Sequence, residues 1–274
     1  MAYKYPYKTN MPNPEYWKAR AKESLAESFA TADEAEAYLT EVYKKSLIDF
    51  CKNYNDLVKP FVKNGVLDTD ALRQALNTDA SFQYKYFRLQ EEIGSISSSL
   101  GEIGNKELEK TLETVYIDTF ENTTGSIYKL DKQAIEKAVK TPWTNDGREF
   151  SERVWKNTDL FQENLRATLS NSITKGESIQ KSVKEFKRIY GNTTYNTSRL
   201  IRTETLAIHN RASLDSYEEL GMEYLEVLAE ADACDICADH NGNKVLVSEA
   251  EQGVNIPPFH PNCKCCIMPI TRKK

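Results

Sequence analysis

Gly221-Met222-Glu223-Tyr224-Leu225-Glu226-Val227-Leu228, followed by Cys234-Asp235-Ile236-Cys237, marks the point where the character of this chain changes. Upstream of Gly221, apolar residues recur at steps of three and four. From Tyr224 they alternate with acidic ones, the period of a strand that buries one face. Gly221 is a natural C-cap for the helix that precedes it. Downstream, Asn241-Gly242 is a hairpin-type turn and Lys244-Val245-Leu246-Val247 reads as a second strand. Gly253 to Pro258 forms a loop delivering His260, and Ile267-Met268-Pro269-Ile270 reads as a last short strand. The fold class expected is therefore mainly α, with an elongated helical N-terminal region, a helical bundle and a small C-terminal α+β lobe.

Five of the six cysteines fall in that lobe. Cys234 and Cys237 form a Cys-x2-Cys pair, and His260-Pro261-Asn262-Cys263-Lys264-Cys265-Cys266 supplies a His-x2-Cys pair after 22 intervening residues. Two thiolates at that spacing grip one ion from a tight knuckle, and a second pair completes a tetrahedron. Mixed thiolate and imidazole donors suit Zn²⁺ better than the oxygen-loving Mg²⁺ or Ca²⁺. The metal candidates are Cys234, Cys237, His260, Cys263 and Cys265, with Cys266 and His240 in reserve. Spacing leaves open whether Cys263 or Cys265 is the fourth ligand. An abundance of thiolates favours a closed, structural zinc site over a catalytic one with an open position. Disulfides are the competing reading, and they are disfavoured because Met1-Ala2-Tyr3-Lys4-Tyr5-Pro6 starts no apolar signal segment. Cys51 lies alone in a helical pattern and reads as core.

The rest of the chain reads as helices separated by breakers. Residues 1–14, with prolines at 6, 12 and 14, are expected to be an extended arm. A long helix starts at Pro14 and places Leu39, Tyr43, Leu47, Phe50, Tyr54 and Leu57 on one face, and Pro60 ends or kinks it. Asp68-Thr69-Asp70 caps a short helix through Leu76. Residues 80–100 are helical up to a Gly/Ser-rich stretch from Gly94 to Gly104, either a flexible joint or a tight helix crossing. Further helices are expected over 105–120, from Asp131 to Val139, and over 148–172. Another runs from Ile179 until Gly191 stops it, and the next runs on to Gly221. The turn cluster Thr141-Pro142-Trp143-Thr144-Asn145-Asp146-Gly147 reads as a hinge. Linear boundaries follow: an arm at 1–14, a helical region at 15–145, a second helical part at 146–221 and the zinc lobe at 222–274.

At 274 residues the chain can bury an ordinary core, so zinc is needed by the lobe alone. A net charge of −5 argues against a surface that grips nucleic acid all over. No apolar run approaches the ~18 residues that span a bilayer, so no membrane partner is expected. Arg202-Thr203-Glu204 and Asn210 precede the lobe on a helix. Residues i and i+2 diverge by about 200° there, so Arg202 and Glu204 cannot share one pocket, and the reading is a structural ion-pair helix comprising Arg202, Glu204 and Asn210. No metalloprotease, deaminase, phosphate-loop or nucleophile-elbow motif is present. No enzyme activity and no catalytic residue are expected. The alternative is a DNA-binding or zinc-dependent nuclease-type accessory protein using His240 and His260.

Taken together, Arg202, Thr203, Glu204 and Asn210, then Asp232, Cys234, Cys237 and Gly242, then Pro257, Pro258, His260, Pro261, Cys263 and Cys265 resemble the phage head morphogenesis (minor head protein) family, phage Mu F-like, over about residues 150–270. The arginine usual between the last two cysteines is Lys264 here, which keeps the charge and loses the planar fork. The resemblance implies a virion component made in few copies, acting in head morphogenesis at the portal vertex or inner capsid surface. The partners it implies are the portal protein, the major capsid protein or scaffold, and in some members the packaged DNA. Some relatives carry a toxin or enzyme domain after the shared one; with four residues after Ile270, none is expected here.

Overall fold

The computed structural model describes residues 14–64, 66–125, 128–144 and 146–270. The expected arm therefore lies outside the described residues except for Pro14, as does Asn145 of the turn cluster. Helices dominate: α1 (Pro14–Val58), α2 (Thr69–Thr78), α3 (Ala80–Thr124), α4 (Lys132–Lys140), α5 (Phe150–Thr174), α6 (Ile179–Glu219) and α7 (Asp235–His240). Strands β1 (Val62–Lys63) and β2 (Val66–Leu67) make a minimal hairpin. Strands β3 (Tyr224–Leu228), β4 (Lys244–Leu246) and β5 (Cys266–Ile270) form an antiparallel sheet in the order β4-β3-β5. The mainly α class with a small α+β lobe is thus the observed one.

Several helix limits follow the expected chemistry. Pro60 falls in a 3-10 turn, Lys59–Phe61, directly after α1 ends. The Asp68 carboxylate accepts the Ala71 N–H at 3.0 Å and caps α2. Asp131 occupies the N-cap of α4, but its side chain makes no capping bond.

Two breaks expected from the sequence are absent. The Gly/Ser-rich stretch lies inside the 45-residue α3, and it is a crossing rather than a joint. A Cβ on Gly101 would come within 2.3 Å of the Trp155 ring on α5, and Ser97 donates to the Thr158 carbonyl at 2.8 Å. Small residues here let two backbones approach. Gly191 does not stop α6, which runs unbroken through it. A helix-interior glycine costs only about 1 kcal/mol relative to alanine, and the buried Ile189, Tyr190 and Ile201 around it outweigh that.

The chain forms two compact units, each built from separated stretches. One comprises Glu36–Lys106 and Ser151–Ser198; the other takes residues up to Ala35, Glu107–Phe150 and everything from Arg199. The sequence reading instead divides the chain linearly at 145 and 221. In the first unit, Phe50 and Tyr54 of α1, Ile93 of α3, Leu165 and Leu169 of α5 and Phe186 of α6 make one apolar core. Phe186 meets Phe50 and Tyr54 edge-on, each with centroids 5.0 Å apart. Cys51 packs at the margin of that core.

The second unit is organised around α6. From Ile201 to Tyr217 no residue of the helix is exposed, polar residues included. Its partners come from α1, α3, the segment after α4 and the C-terminal lobe. Tyr217 donates to the Ile267 carbonyl at 3.1 Å, and the Gln252 amide donates to the Ala207 carbonyl at 2.6 Å.

Candidate metal centre

Three short pieces of backbone bring the donors together. Cys234 is the N-cap of α7 and Cys237 lies in its first turn, so the knuckle is the start of a six-residue helix rather than a loop. His260 and Cys263 follow the loop after β4; the Cys263 N–H donates to the His260 carbonyl at 3.1 Å, which closes a tight turn. Asn262, inside that turn, has φ +61°, a left-handed conformation that asparagine tolerates better than most residues. Cys265 immediately precedes β5.

The His260 Nε2 lies 3.2 Å from Cys234 Sγ and 3.0 Å from Cys237 Sγ. Cys237 Sγ lies 3.6 Å from Cys263 Sγ. Zn–S bonds of about 2.3 Å and Zn–N bonds of about 2.0 Å put tetrahedral edges at about 3.8 Å for S···S and about 3.5 Å for S···N. The observed separations are close to those edges. The ligand atoms of Cys234, Cys237 and His260 lie within 4.8 Å of one another, as do those of Cys237, Cys263 and Cys265, so Cys237 belongs to both groups. These clusters can hold a metal. The other histidine nitrogen fits the same role. Nδ1 lies 2.8 Å from the Pro261 carbonyl, which can only accept, so Nδ1 carries the proton and Nε2 offers its lone pair to the thiols.

Electrostatics separate the thiols. Burial pushes Cys237 up to about 12. Cys263 is drawn down to about 5, chiefly by a hydrogen bond from the Cys265 side chain, and Cys265 is raised by the same bond. The Cys237 backbone N–H lowers exposed Cys234. At His260, burial opposes the charged ring, but the Pro261 carbonyl and the neighbouring Cys263 and Cys234 outweigh it and raise its pKa. Cys266, raised to about 12 by burial, sits in β5 outside both groups. His240 is also outside them, stacked flat on Phe259 with centroids 3.9 Å apart.

The α6 residues flagged by the sequence lie in the same unit, with separate jobs. Arg202 pairs with Asp33 of α1 and lies over the Phe29 ring. Buried Glu204 accepts from the Trp143 indole N–H at 2.8 Å. Arg202 and Glu204 thus engage different elements, as their divergence on a helix requires. Asn210 makes no ion pair, being neutral. Its amide donates to the Leu206 carbonyl at 3.0 Å and to the Cys265 carbonyl at 3.2 Å.

Four contributors were not legible in the sequence as parts of this arrangement. Trp143 sits in what reads as a hinge, Gln252 just before what reads as a loop, and Tyr217 near the end of the helix expected to run to Gly221. Trp17 of α1 packs with Cys237, Cys263, Cys265 and Cys266 from the far end of the chain. Thr203 is the case with a usable signal. It stands seven positions before Asn210, which puts both on one face of α6, toward the cysteines.

Residues 163–268 match the family model described as Phage Mu protein F like protein. Neither a curated protein nor a solved structure gives a match. The matched span holds all of α6, the sheet as far as Met268 and every donor of the metal-capable cluster. Over residues 163–268 this chain is therefore similar to the Phage Mu protein F like family, the phage head-morphogenesis family that its Arg-Thr-Glu and Cys/His motifs resemble.

Proposed function

We propose that the chain is a phage minor head protein that acts in head morphogenesis at the portal vertex or the inner capsid surface, and that one Zn²⁺ staples its C-terminal lobe. The observation that carries this reading is the match over residues 163–268, which spans the whole Cys/His cluster and the helix it docks on. Cys234, Cys237, His260 and Cys263 hold the ion, which when bound supplies cross-linking rather than a reacting centre. Cys263 is favoured over Cys265 as fourth ligand by two contacts. Its sulfur stands one tetrahedral edge from Cys237, and it accepts the Cys265 backbone N–H at 3.5 Å, a bond that stabilises a ligating thiolate. Cys265 then stands behind the ligand shell.

The role is structural, with the portal protein and capsid or scaffold subunits as partners and the virion as location. Among the described residues no helix is long and apolar enough to cross a membrane. The nuclease alternative gains nothing from the geometry, because His240 is occupied in a ring stack on Phe259.

The test is a phage carrying a nonsense mutation in the gene for this chain, together with mass spectrometry of purified wild-type particles. The chain should be present in wild-type heads, and the mutant should give defective or non-infectious heads. Its absence from wild-type particles would sink the reading.

A further inference from the structure

We infer that Thr203 and Asn210 are positioning residues for the metal: α6 grips the ligand loop on both sides of Cys263 and holds it in the binding conformation before any ion arrives. The inference rests on the metal reading of the lobe and adds to it the part of the protein that pre-forms the site.

The grip has two points. Upstream of Cys263, the Asn262 N–H donates to Thr203 Oγ1 at 3.1 Å. That hydroxyl gives its own proton to the Arg199 carbonyl at 2.7 Å, which leaves its lone pairs facing the loop. Thr203 is thus an acceptor of fixed direction, and it pins the residue whose backbone is left-handed. Downstream, the Asn210 amide donates to the Cys265 carbonyl. Its orientation is set by chemistry, because both atoms it faces, the Leu206 and Cys265 carbonyl oxygens, can only accept. Turning the amide over would place three oxygens together.

Asn210 is fully buried, and its Oδ1 has no hydrogen-bond partner among the described residues. A buried acceptor left unpaired costs about 1–3 kcal/mol. A leucine would fill the space without that penalty, so the amide is explained by what its other end holds. The two clamps lie seven positions apart on one face of α6, and the loop residues they hold are three apart with Cys263 between them. A metal-binding loop fixed at both ends loses less conformational entropy on binding than a free one.

Thr203→Val and Asn210→Leu remove the clamps at nearly constant volume, and Thr203→Ser keeps the hydroxyl. Zn²⁺ affinity is measured by chelator competition, with the visible spectrum of Co²⁺ in the same site as a geometric readout. Thr203→Val and Asn210→Leu should each weaken Zn²⁺ binding by about 10–100-fold and broaden the Co²⁺ bands, while Thr203→Ser stays near wild type. Wild-type affinity in both clamp variants overturns the inference and leaves the metal reading standing. A wild type that takes up neither ion overturns the metal reading and this inference together. Hydrogen exchange on metal-free wild type covers the case of variants that do not fold. The Asn262 amide should be protected without metal, and exchange at the rate of an unstructured chain overturns pre-formation.

Discussion

The two units of this protein solve the same problem with different chemistry. The unit comprising Glu36–Lys106 and Ser151–Ser198 is held by an apolar interior with aromatic edges around Phe186. The unit built around Arg199–Tyr217 buries hydroxyls, amides, a histidine and a carboxylate along one helix, and packs cysteines where the first unit packs leucine and phenylalanine. Apolar packing is tolerant, since any residue of similar size and greasiness keeps most of the stability. A buried polar helix is intolerant, since each donor and acceptor needs a particular partner. The first unit is therefore built for bulk stability, and the second for one specific arrangement of the lobe.

The largest way to break that contrast is Cys237→Ser. Cys237 is common to both donor groups, and zinc-binding energies of about 10–16 kcal/mol in small zinc-finger domains are folding energies. The variant should lose metal and the ordered lobe, with the apolar unit still melting cooperatively; chelation of the wild type should do the same. Differential scanning calorimetry with paired metal analysis distinguishes this from global unfolding.

Phe186→Ala is the reciprocal experiment. It should cost about 3–5 kcal/mol in the apolar unit and leave metal content unchanged. A variant that lost metal binding as readily as Cys237→Ser would show that the two chemistries are not separable.

The buried histidine gives a third, smaller handle. His209 Nδ1 sits 3.0 Å from Ser28 Oγ and 3.3 Å from Thr119 Oγ1, and burial depresses its pKa from 6.5 to about 4. The unfolded chain therefore binds the proton more readily than the fold. Stability is fully present above pH about 6.5 and drains as pH falls toward 4, by a total of about 3 kcal/mol. Asp215, raised by burial, works in the opposite direction. The His209 share is thus read as the difference between wild type and His209→Gln in urea melts at pH 7 and pH 4.5. A difference that does not change with pH would refute it. Smallest of all, Gly191→Ala should stabilise α6 by about 1 kcal/mol, because nothing lies within 4 Å of the added Cβ and no left-handed backbone needs the glycine.

The same contrast explains what could be read from the chain. The apolar unit was legible because Leu39, Tyr43, Phe50, Tyr54 and Leu57 repeat at helical spacing, and periodicity encodes a buried face. The cysteine cluster was legible because ligand spacing is a local property. The continuity of α3 and α6 was not, since Gly101 and Gly191 look alike as breakers. One accommodates the Trp155 ring and the other stands in open space, a difference made by partners distant in sequence. The polar surroundings of α6 were hidden for the same reason. Nothing near Glu204 announces Trp143, and nothing near His209 announces Ser28.

The bond between Ser28 and His209 joins residues 181 positions apart. A ribosome adding about 5–20 residues per second needs roughly 10–35 s to cover that gap. Throughout that interval the first turns of α1 have been made, while α6 is still incomplete and lacks His209. Nascent chains stalled before residue 199 should thus leave Trp17 and Leu25 open to protease, and chains released whole should not. Closure of this unit therefore reports that translation has passed through the cysteine lobe, because its two halves are made at opposite ends of that interval.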